Sequence, residues 1–558
     1  MKIALAQINP IIGDLSGNKE KILSFLDQAR IQDAELVMFP ELALTGWPPK
    51  GLLLRNEFIQ AAEETLEDIL PHTSGIGVLL GTISSDPDTG KLYNSAILMD
   101  DGKITGRVHK AQLENRYIFD ETNYFTPVRA EVSTRGNHLS FRGLQLMVTI
   151  GEKHNEGDEL NNHSNDRYTC DSSTDHKPTN DSSNGNPRIL VNLSAIPYQY
   201  QGLGNRQKLL SNTAAKYQIP LLAVRQVGAN DELVFDGSSM VFDEAGNLIC
   251  QGKAFEEQLL YFDTQAPYPT IEYPLEDISC AYQALILGLR DYFRKNGFQK
   301  VLLGLSGGVD SALVACLAVE ALGSDNVLGV SMPSRYSPDH SHDDAKLLAG
   351  NLGIEYRVLP IEELFATYIK LMNGKEEAVG DLAEENIQAR IRGNLLMFIS
   401  NREGRILLNT SNKSESAMGY STLYGDMCGS LSPIADIPKT MVYQLCDYIN
   451  RDAEVIPVNT LTKPPSAELR PNQKDQDSLP DYPVLDAIVQ MYLEEKLSVR
   501  EMVQRGYEKE LVLRIVSSID RTEYKRRQAP PMLKVTSSNL LRGGSLPMVQ
   551  RFERNAKE

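Results

Sequence analysis

The sequence predicts an α/β protein of two domains: an N-terminal layered α/β sandwich and a C-terminal doubly wound parallel sheet. Three observations predict it. Short apolar runs alternate with helical patterns along the first half. The second half strings buried, strand-like runs between helices, the pattern of a parallel sheet covered on both faces. Between the halves, TQAPYPTIEY near 265–274 carries prolines and few core residues, and marks the boundary. The N-terminal domain is expected over 1–265 and the C-terminal one over 275–558.

In the first half, strands are expected at KIALAQI, LVMFP, GVLLGTI, NSAILM, LQLMVTI, RILVNLSA and PLLAVRQV. Helices are expected around 18–31, 54–70 and 205–218. The second half opens on a helical stretch, then VLLGL, a glycine-rich loop and the apolar helix SALVACLAVEAL. NVLGVSM, EYRVLPI and RILLNT continue as buried parallel strands.

Composition excludes several functions. The chain has 558 residues, 41% hydrophobic and 23% charged, ordinary for a soluble protein. No apolar run approaches the roughly 18 residues that span a bilayer. MKIALAQINPIIGD lacks the apolar core of a signal peptide, so a cytoplasmic location is expected. The net charge of −18 argues against nucleic acid and anionic membrane as partners. It leaves room for a phosphorylated small substrate in a local cleft. Six cysteines, Cys170, Cys250, Cys280, Cys316, Cys428 and Cys446, form no CxxC pair, against a zinc or redox site.

Residues 153–187 fit neither half. They are rich in Asn, Asp, Ser and His and nearly free of aliphatics, so they bury too little to offset ordering entropy. A disordered surface loop is expected, with a metal site at His154, His163, His176 and Cys170 as the alternative. Deleting 155–186 is expected to leave the fold intact, because closing a shorter loop costs little.

The strongest motif is Ser306-Gly307-Gly308-Val309-Asp310-Ser311, between the strand VLLGL (ending Gly304, Leu305) and a helix N-terminus. Phosphates need donors that approach without a Cβ in the way. Two glycines permit that, and the helix end adds partial positive charge. The Ser306 and Ser311 hydroxyls can donate to the same oxygens. Asp310 repels phosphate but suits a Mg²⁺ ion that bridges to it. The alternative is a tight strand–helix turn with incidental serines. The loop is not GxxxxGK[ST].

This loop resembles the pyrophosphate loop of the ATP pyrophosphatases, which cleave ATP between the α and β phosphates and transfer AMP. The helix-opening run Glu384–Arg390, LLNTSNKSESAMGYSTLYGDMCG (407–429), Lys439, TKPPSAELRPNQKDQDSLPDY (462–482) and EYKRRQAPPMLK (523–534) narrow the resemblance to NAD⁺ synthetase. It implies that deamido-NAD⁺ is adenylated by ATP and amidated by ammonia, in an assembly formed through this domain. It further implies that Asp310 and Glu415 hold Mg²⁺. By the same resemblance Thr410, Lys439 and Ser466 contact ATP, and Asn386, Arg390, Glu415, Tyr524 and Lys525 contact deamido-NAD⁺. The tail SSNLLRGGSLPM departs from the family pattern.

The first half resembles the nitrilase-like glutaminase domain of long NAD⁺ synthetases. FPELALTGWPP (39–49), HKAQLENRYIFDE (109–121) and QVGANDELVFDG (226–237) carry the resemblance. It implies a Glu–Lys–Cys triad in which a thiolate attacks the glutamine amide. Glu41 and Lys110 match its first two members, and Tyr117 and Ser194 the glutamine site. The family's Ile-Cys-Glu-Asp run reads Ile150-Gly151-Glu152-Lys153 here, so glycine stands at the nucleophile's position. Glu114, Arg116 and Gly202 also depart from the pattern. The expectation is a ligase fed by free ammonia, with use of glutamine doubtful. The alternatives are a relocated nucleophile, Cys170 or Cys250, another ATP pyrophosphatase acting on RNA or nucleotides, and a scaffold without activity.

Overall fold

The computed structural model describes residues 1–116, 119–128, 137–151, 188–265, 277–374 and 379–537. The chain forms two compact units that divide between residues 265 and 277, with Asp231–Leu233 grouped with the second. The polar stretch 153–187 and its proposed metal ligands lie outside the described residues, as do Tyr117 and the divergent tail. Among the described residues no helix is long and apolar enough to cross a membrane.

The first unit runs β1 (Lys2–Gln7), α1 (Leu15–Ile31), β2 (Leu36–Met38), α2 (Asn56–Ile69), β3 (Gly77–Ser85), β4 (Leu92–Asp100) and β5 (Lys103–His109). It continues β6 (His138–Phe141), β7 (Leu144–Ile150), β8 (Arg188–Ser194), α3 (Gly202–Tyr217), β9 (Leu221–Arg225), β10 (Met240–Phe242), β11 (Leu248–Gln251) and β12 (Gln258–Asp263). The seven strands and three helices expected here are present. The strands β5, β6, β10, β11 and β12 were not legible: four of them are sheet edges and β10 has three residues, so each carries little continuous apolar sequence.

Two six-stranded sheets form, ordered β12-β1-β2-β3-β4-β5 and β11-β10-β9-β8-β7-β6. Alternation along β1 shows how they pack. Ile3 and Leu5 join Leu146, Val148, Val191 and Val224 in a core between the sheets. Ala4 and Ala6 face Ile22, Leu26, Leu66 and Ile69 of α1 and α2. On the other sheet α3 packs over Leu221, Ala223 and Met240. The result is a helix–sheet–sheet–helix sandwich.

β7 and β8 are parallel neighbours, with Arg188 opposite Gln145 and Leu193 opposite Ile150. A connection between parallel neighbours needs a crossover of about a dozen residues or more. That topology argues against the expectation that 155–186 is dispensable.

The second unit runs α4 (Asp277–Lys295), β13 (Val301–Gly304), α5 (Val309–Leu322), β14 (Val327–Ser331), α6 (Asp339–Leu352), β15 (Glu355–Val358), α7 (Glu362–Asn373), α8 (Leu382–Glu403) and β16 (Ile406–Leu408). α9 (Lys413–Met418), α10 (Lys439–Ile449), α11 (Tyr482–Leu493) and α12 (Lys509–Arg521) follow. The sheet is parallel throughout, in the order β15-β14-β13-β16. α7 and α8 cover one face through Phe365, Ile369, Ile391 and Ile399, and α5 packs between α4 and α10. A second core joins α11 and α12 through Leu485, Ile488, Val512 and Ile515. Loops at the carboxyl edge of such a sheet are where ligands bind.

Candidate active sites

In the second unit a cavity of about 900 Å³ opens at that carboxyl edge. Gly304, Leu305, Ser306, Gly308, Val309, Asp310 and Ser311 line it, together with Thr410, Glu415, Lys439 and Ser466. Gly307, within the same loop, does not line the cavity. Its φ is +81°, and a Cβ there would stand 2.2 Å from the Ser341 carbonyl oxygen, so only glycine lets α6 pack against the turn. The Ser311 hydroxyl donates to the Gly308 carbonyl at 3.0 Å and accepts from the Ser306 N–H at 3.3 Å. Ser311 thus also braces the loop.

The charged centre is built from three elements. Asp310 begins α5, Glu415 sits in the first turn of α9 and Lys439 opens α10. Lys439 Nζ lies 2.5 Å from Asp310 Oδ2 and 3.5 Å from Glu415 Oε1. Asn412 caps α9 and donates to Asp310 Oδ1 at 2.9 Å. Desolvation, then repulsion from Asp310, push the Glu415 carboxyl up to about 8 against the pull of Lys439. Burial opposes the Lys439 ammonium, but Asp310 and Glu415 outweigh it and hold its pKa above the usual lysine range. The centre is short of positive charge.

Asn386, Arg390, Tyr524 and Lys525 do not line this cavity. The first, second and fourth gather around residues 419–426. Thr422 donates to Asn386 Oδ1 at 2.7 Å, and Arg390 Nε donates to the Leu423 carbonyl at 3.2 Å. Lys525 Nζ donates to the Gly419 and Ser421 carbonyls at 2.8 and 2.7 Å. Tyr524 beside it is exposed. Tyr420 and Asp426, at the two ends of that stretch, do line the cavity.

Sequence reasoning missed Asp475, Asn412 and Arg392. Asp475 lines the cavity and accepts from Tyr482 at 2.7 Å. Asn412 was legible: Asn followed three residues on by Glu is a capping box. Asp475 and Arg392 had no local signal, because each acquires its place from a distant partner.

In the first unit Glu41, Lys110, Gly151, Glu114, Glu121, Trp47, Phe119 and Ala195 surround a small cavity of about 10 Å³, room for one water. Lys110 Nζ lies 2.9 Å from Glu41, 2.8 Å from Glu121 and 3.7 Å from Glu114. Glu41 also accepts from Asn94 at 2.7 Å and from the Ala195 N–H at 3.2 Å. Burial opposes the Lys110 charge, but the three carboxylates raise its pKa. Desolvation pushes Glu121 up to about 7, against the attraction of Lys110. Ser194 does not line the cavity; it is buried one residue before Ala195, its Oγ without a partner among the described residues.

Gly151 follows β7 with φ +78°. A Cβ built there would stand 2.7 Å from Lys110 Nζ and 2.8 Å from Glu114 Oε1. The acid and the lysine thus converge on a residue with no side chain. Cys250, on β11, lies in the core between the sheets, and burial pushes its thiol up to about 11.

Comparison with known proteins agrees with the two-unit architecture. Residues 2–268 match the carbon-nitrogen hydrolase family and residues 281–529 the NAD synthase family. The glutamine-dependent NAD(+) synthetase of Synechocystis sp. is 43% identical over 99% of both chains. This chain belongs to the glutamine-dependent NAD⁺ synthetase family. Members are carbon–nitrogen ligases, and the Thermotoga maritima member is 39% identical over 99% of both chains. The solved structure of the Acinetobacter baumannii synthetase, in complex with adenosine diphosphate, has a TM-score of 0.72 at 34% identity and covers 99% of each chain. The Cytophaga hutchinsonii synthetase, 21% identical, shares the fold with a TM-score of 0.81 over 99% of this chain and 98% of its own.

Proposed function

We propose that this synthetase adenylates deamido-NAD⁺ with ATP, amidates it with ammonia from solution, and no longer hydrolyses glutamine. The observation that carries the reading is Gly151, a residue without a side chain where Glu41 and Lys110 converge. Hydrolysis through a thioester needs a thiolate at that point. Without it Glu41 retains a lysine ion pair, beside a cavity that holds about one water.

In the second unit the 900 Å³ cavity suits ATP, with the helix N-terminus and the glycine loop toward the phosphates. The substrate carboxylate attacks the α-phosphorus and pyrophosphate leaves. Ammonia then attacks the acyl carbon, AMP leaves, and the surplus proton passes to solvent. Lys439 neutralises charge as pyrophosphate departs. Asn386, Arg390 and Lys525, around 419–426, hold the dinucleotide together with the exposed Tyr524.

Asp310 and Glu415 fit a divalent cation. They face one another across a single ammonium, and burial, then repulsion from Asp310, raises the Glu415 pKa. No three such ligands gather among the described residues, so the protein supplies two donors to Mg²⁺. When bound, the ion screens the phosphate charge.

The test mixes protein with deamido-NAD⁺, ATP, Mg²⁺ and ammonium and follows AMP and NAD⁺. Asp310→Ala is expected to lose about two orders of magnitude in turnover, the size of a large electrostatic contribution. Near-normal turnover in that variant would show that the centre is not catalytic.

A further inference from the structure

Arg392 is a cation of the larger cavity that the reading above leaves without a role. It lies on α8 and lines the cavity two residues beyond Arg390. Its Nε donates to the Met332 carbonyl at 3.0 Å, just past the end of β14. β14 is the neighbour of β13, which launches the glycine loop. The bond therefore fixes the guanidinium at the carboxyl edge, next to the strand that carries residues 304–311.

A guanidinium has five N–H donors. Here one is used, and Nη1 and Nη2 have no hydrogen-bond partner among the described residues. Asp426 and Glu468 attract it from a distance, but neither forms an ion pair with it. Of the other lysines and arginines on the cavity wall, all but the exposed Lys474 are committed. Lys439 pairs with Asp310, Lys463 with Asp344, Arg335 with Glu362 and Arg470 with Asp477. Loss of water lowers the Arg392 pKa to about 10, a cost that an arriving anion relieves.

We propose that Arg392 binds a phosphate of the nucleotide, its planar fork taking two phosphate oxygens. The chemistry follows from geometry. A guanidinium held by Nε presents its Nη groups as a rigid pair, which matches phosphate better than an ammonium does. Asp426, which lines the same cavity and attracts the guanidinium, ends the stretch that Asn386, Arg390 and Lys525 hold. The arginine thus stands on the side of the nucleotide cavity that meets that cluster. The proposal rests on reading the cavity as the ATP site.

Calorimetric titration of the full chain with ATP and with adenosine tests it. Arg392→Met keeps the stem and removes the fork, and Arg392→Lys keeps the charge alone. ATP affinity in Arg392→Met is expected to fall at least about tenfold, and adenosine affinity by less than about twofold. Arg392→Lys should fall between, and it carries the comparison if Arg392→Met does not fold. Equal losses for ATP and adenosine would make Arg392 a structural prop and overturn the proposal. Unchanged ATP affinity, or a loss confined to deamido-NAD⁺, would overturn it too. A parent chain that binds neither ATP nor adenosine would instead remove the reading of the cavity on which the proposal rests.

Discussion

Gly307 and Gly151 show how much a missing side chain can decide. Both have positive φ, and both leave no space for a Cβ. At Gly307 the obstacle is the Ser341 backbone, which cannot step aside. Gly307→Ala is therefore expected to abolish measurable ATP binding and to lower the melting temperature by several degrees, since a strained non-glycine residue costs about 1–3 kcal/mol before any clash. Calorimetry and thermal unfolding of the variant check both. At Gly151 the obstacle is the end of Lys110, a flexible chain, so the strain there is mostly backbone. The glycine loop was legible because its residues are consecutive. So were Glu41 and Lys110, through the motifs around them. Glu121 was not: it sits in the quoted 109–121 run, but only folding brings it 2.8 Å from Lys110.

At the scale of elements, the apolar strands of both sheets could be read from sequence because they are buried on both faces and continuous. Pairing direction could not. β7 and β8 look like two strands split by a polar loop, yet their parallel register demands a return path. The register sets Arg188 opposite Gln145, so the return from Ile150 covers five residues of rise, about 17 Å, before any detour over the side chains of the sheet. Deleting 155–186 leaves five residues, 151–154 and 187, against the dozen or so that a parallel crossover takes. That variant is expected to be insoluble or to melt far below the parent. A shorter deletion, 155–174, leaves a crossover of sufficient length and should keep both fold and ammonia-dependent turnover. Soluble, fully active protein from the long deletion would show that the strand register is wrong. Asn412 illustrates another element-scale effect. One side chain caps α9 and holds Asp310, so a short helix fixes two carboxylates at once.

For the whole molecule, the first unit carries an electrostatic cost that the proposed chemistry does not use. Two buried carboxylates, with a third at 3.7 Å, share the Lys110 ammonium. Glu121 titrates near 7 when folded against an ordinary 4.5. Between those values the folded state holds more protons than the unfolded one, so stability falls as pH rises through the window. It is fully present below about 4.5 and lost above about 7. Glu121→Gln removes that slope. It should be more stable than the parent near pH 8, by on the order of 1–3 kcal/mol, and the gap should close below pH ~4.5; denaturant unfolding across the range checks it. On the proposed reading, such a centre belongs to a domain kept for its fold.

The most direct test of that claim is the nitrogen source. The unmodified protein is given deamido-NAD⁺, ATP and Mg²⁺ in ammonia-free buffer, with either ammonium or glutamine, and NAD⁺ and glutamate are measured together. NAD⁺ should form with ammonium, while glutamine should give neither NAD⁺ nor glutamate above a trace, because Glu41 and Lys110 alone make no thioester. Glutamate release that keeps pace with NAD⁺ formation would contradict the account and require a nucleophile other than residue 151.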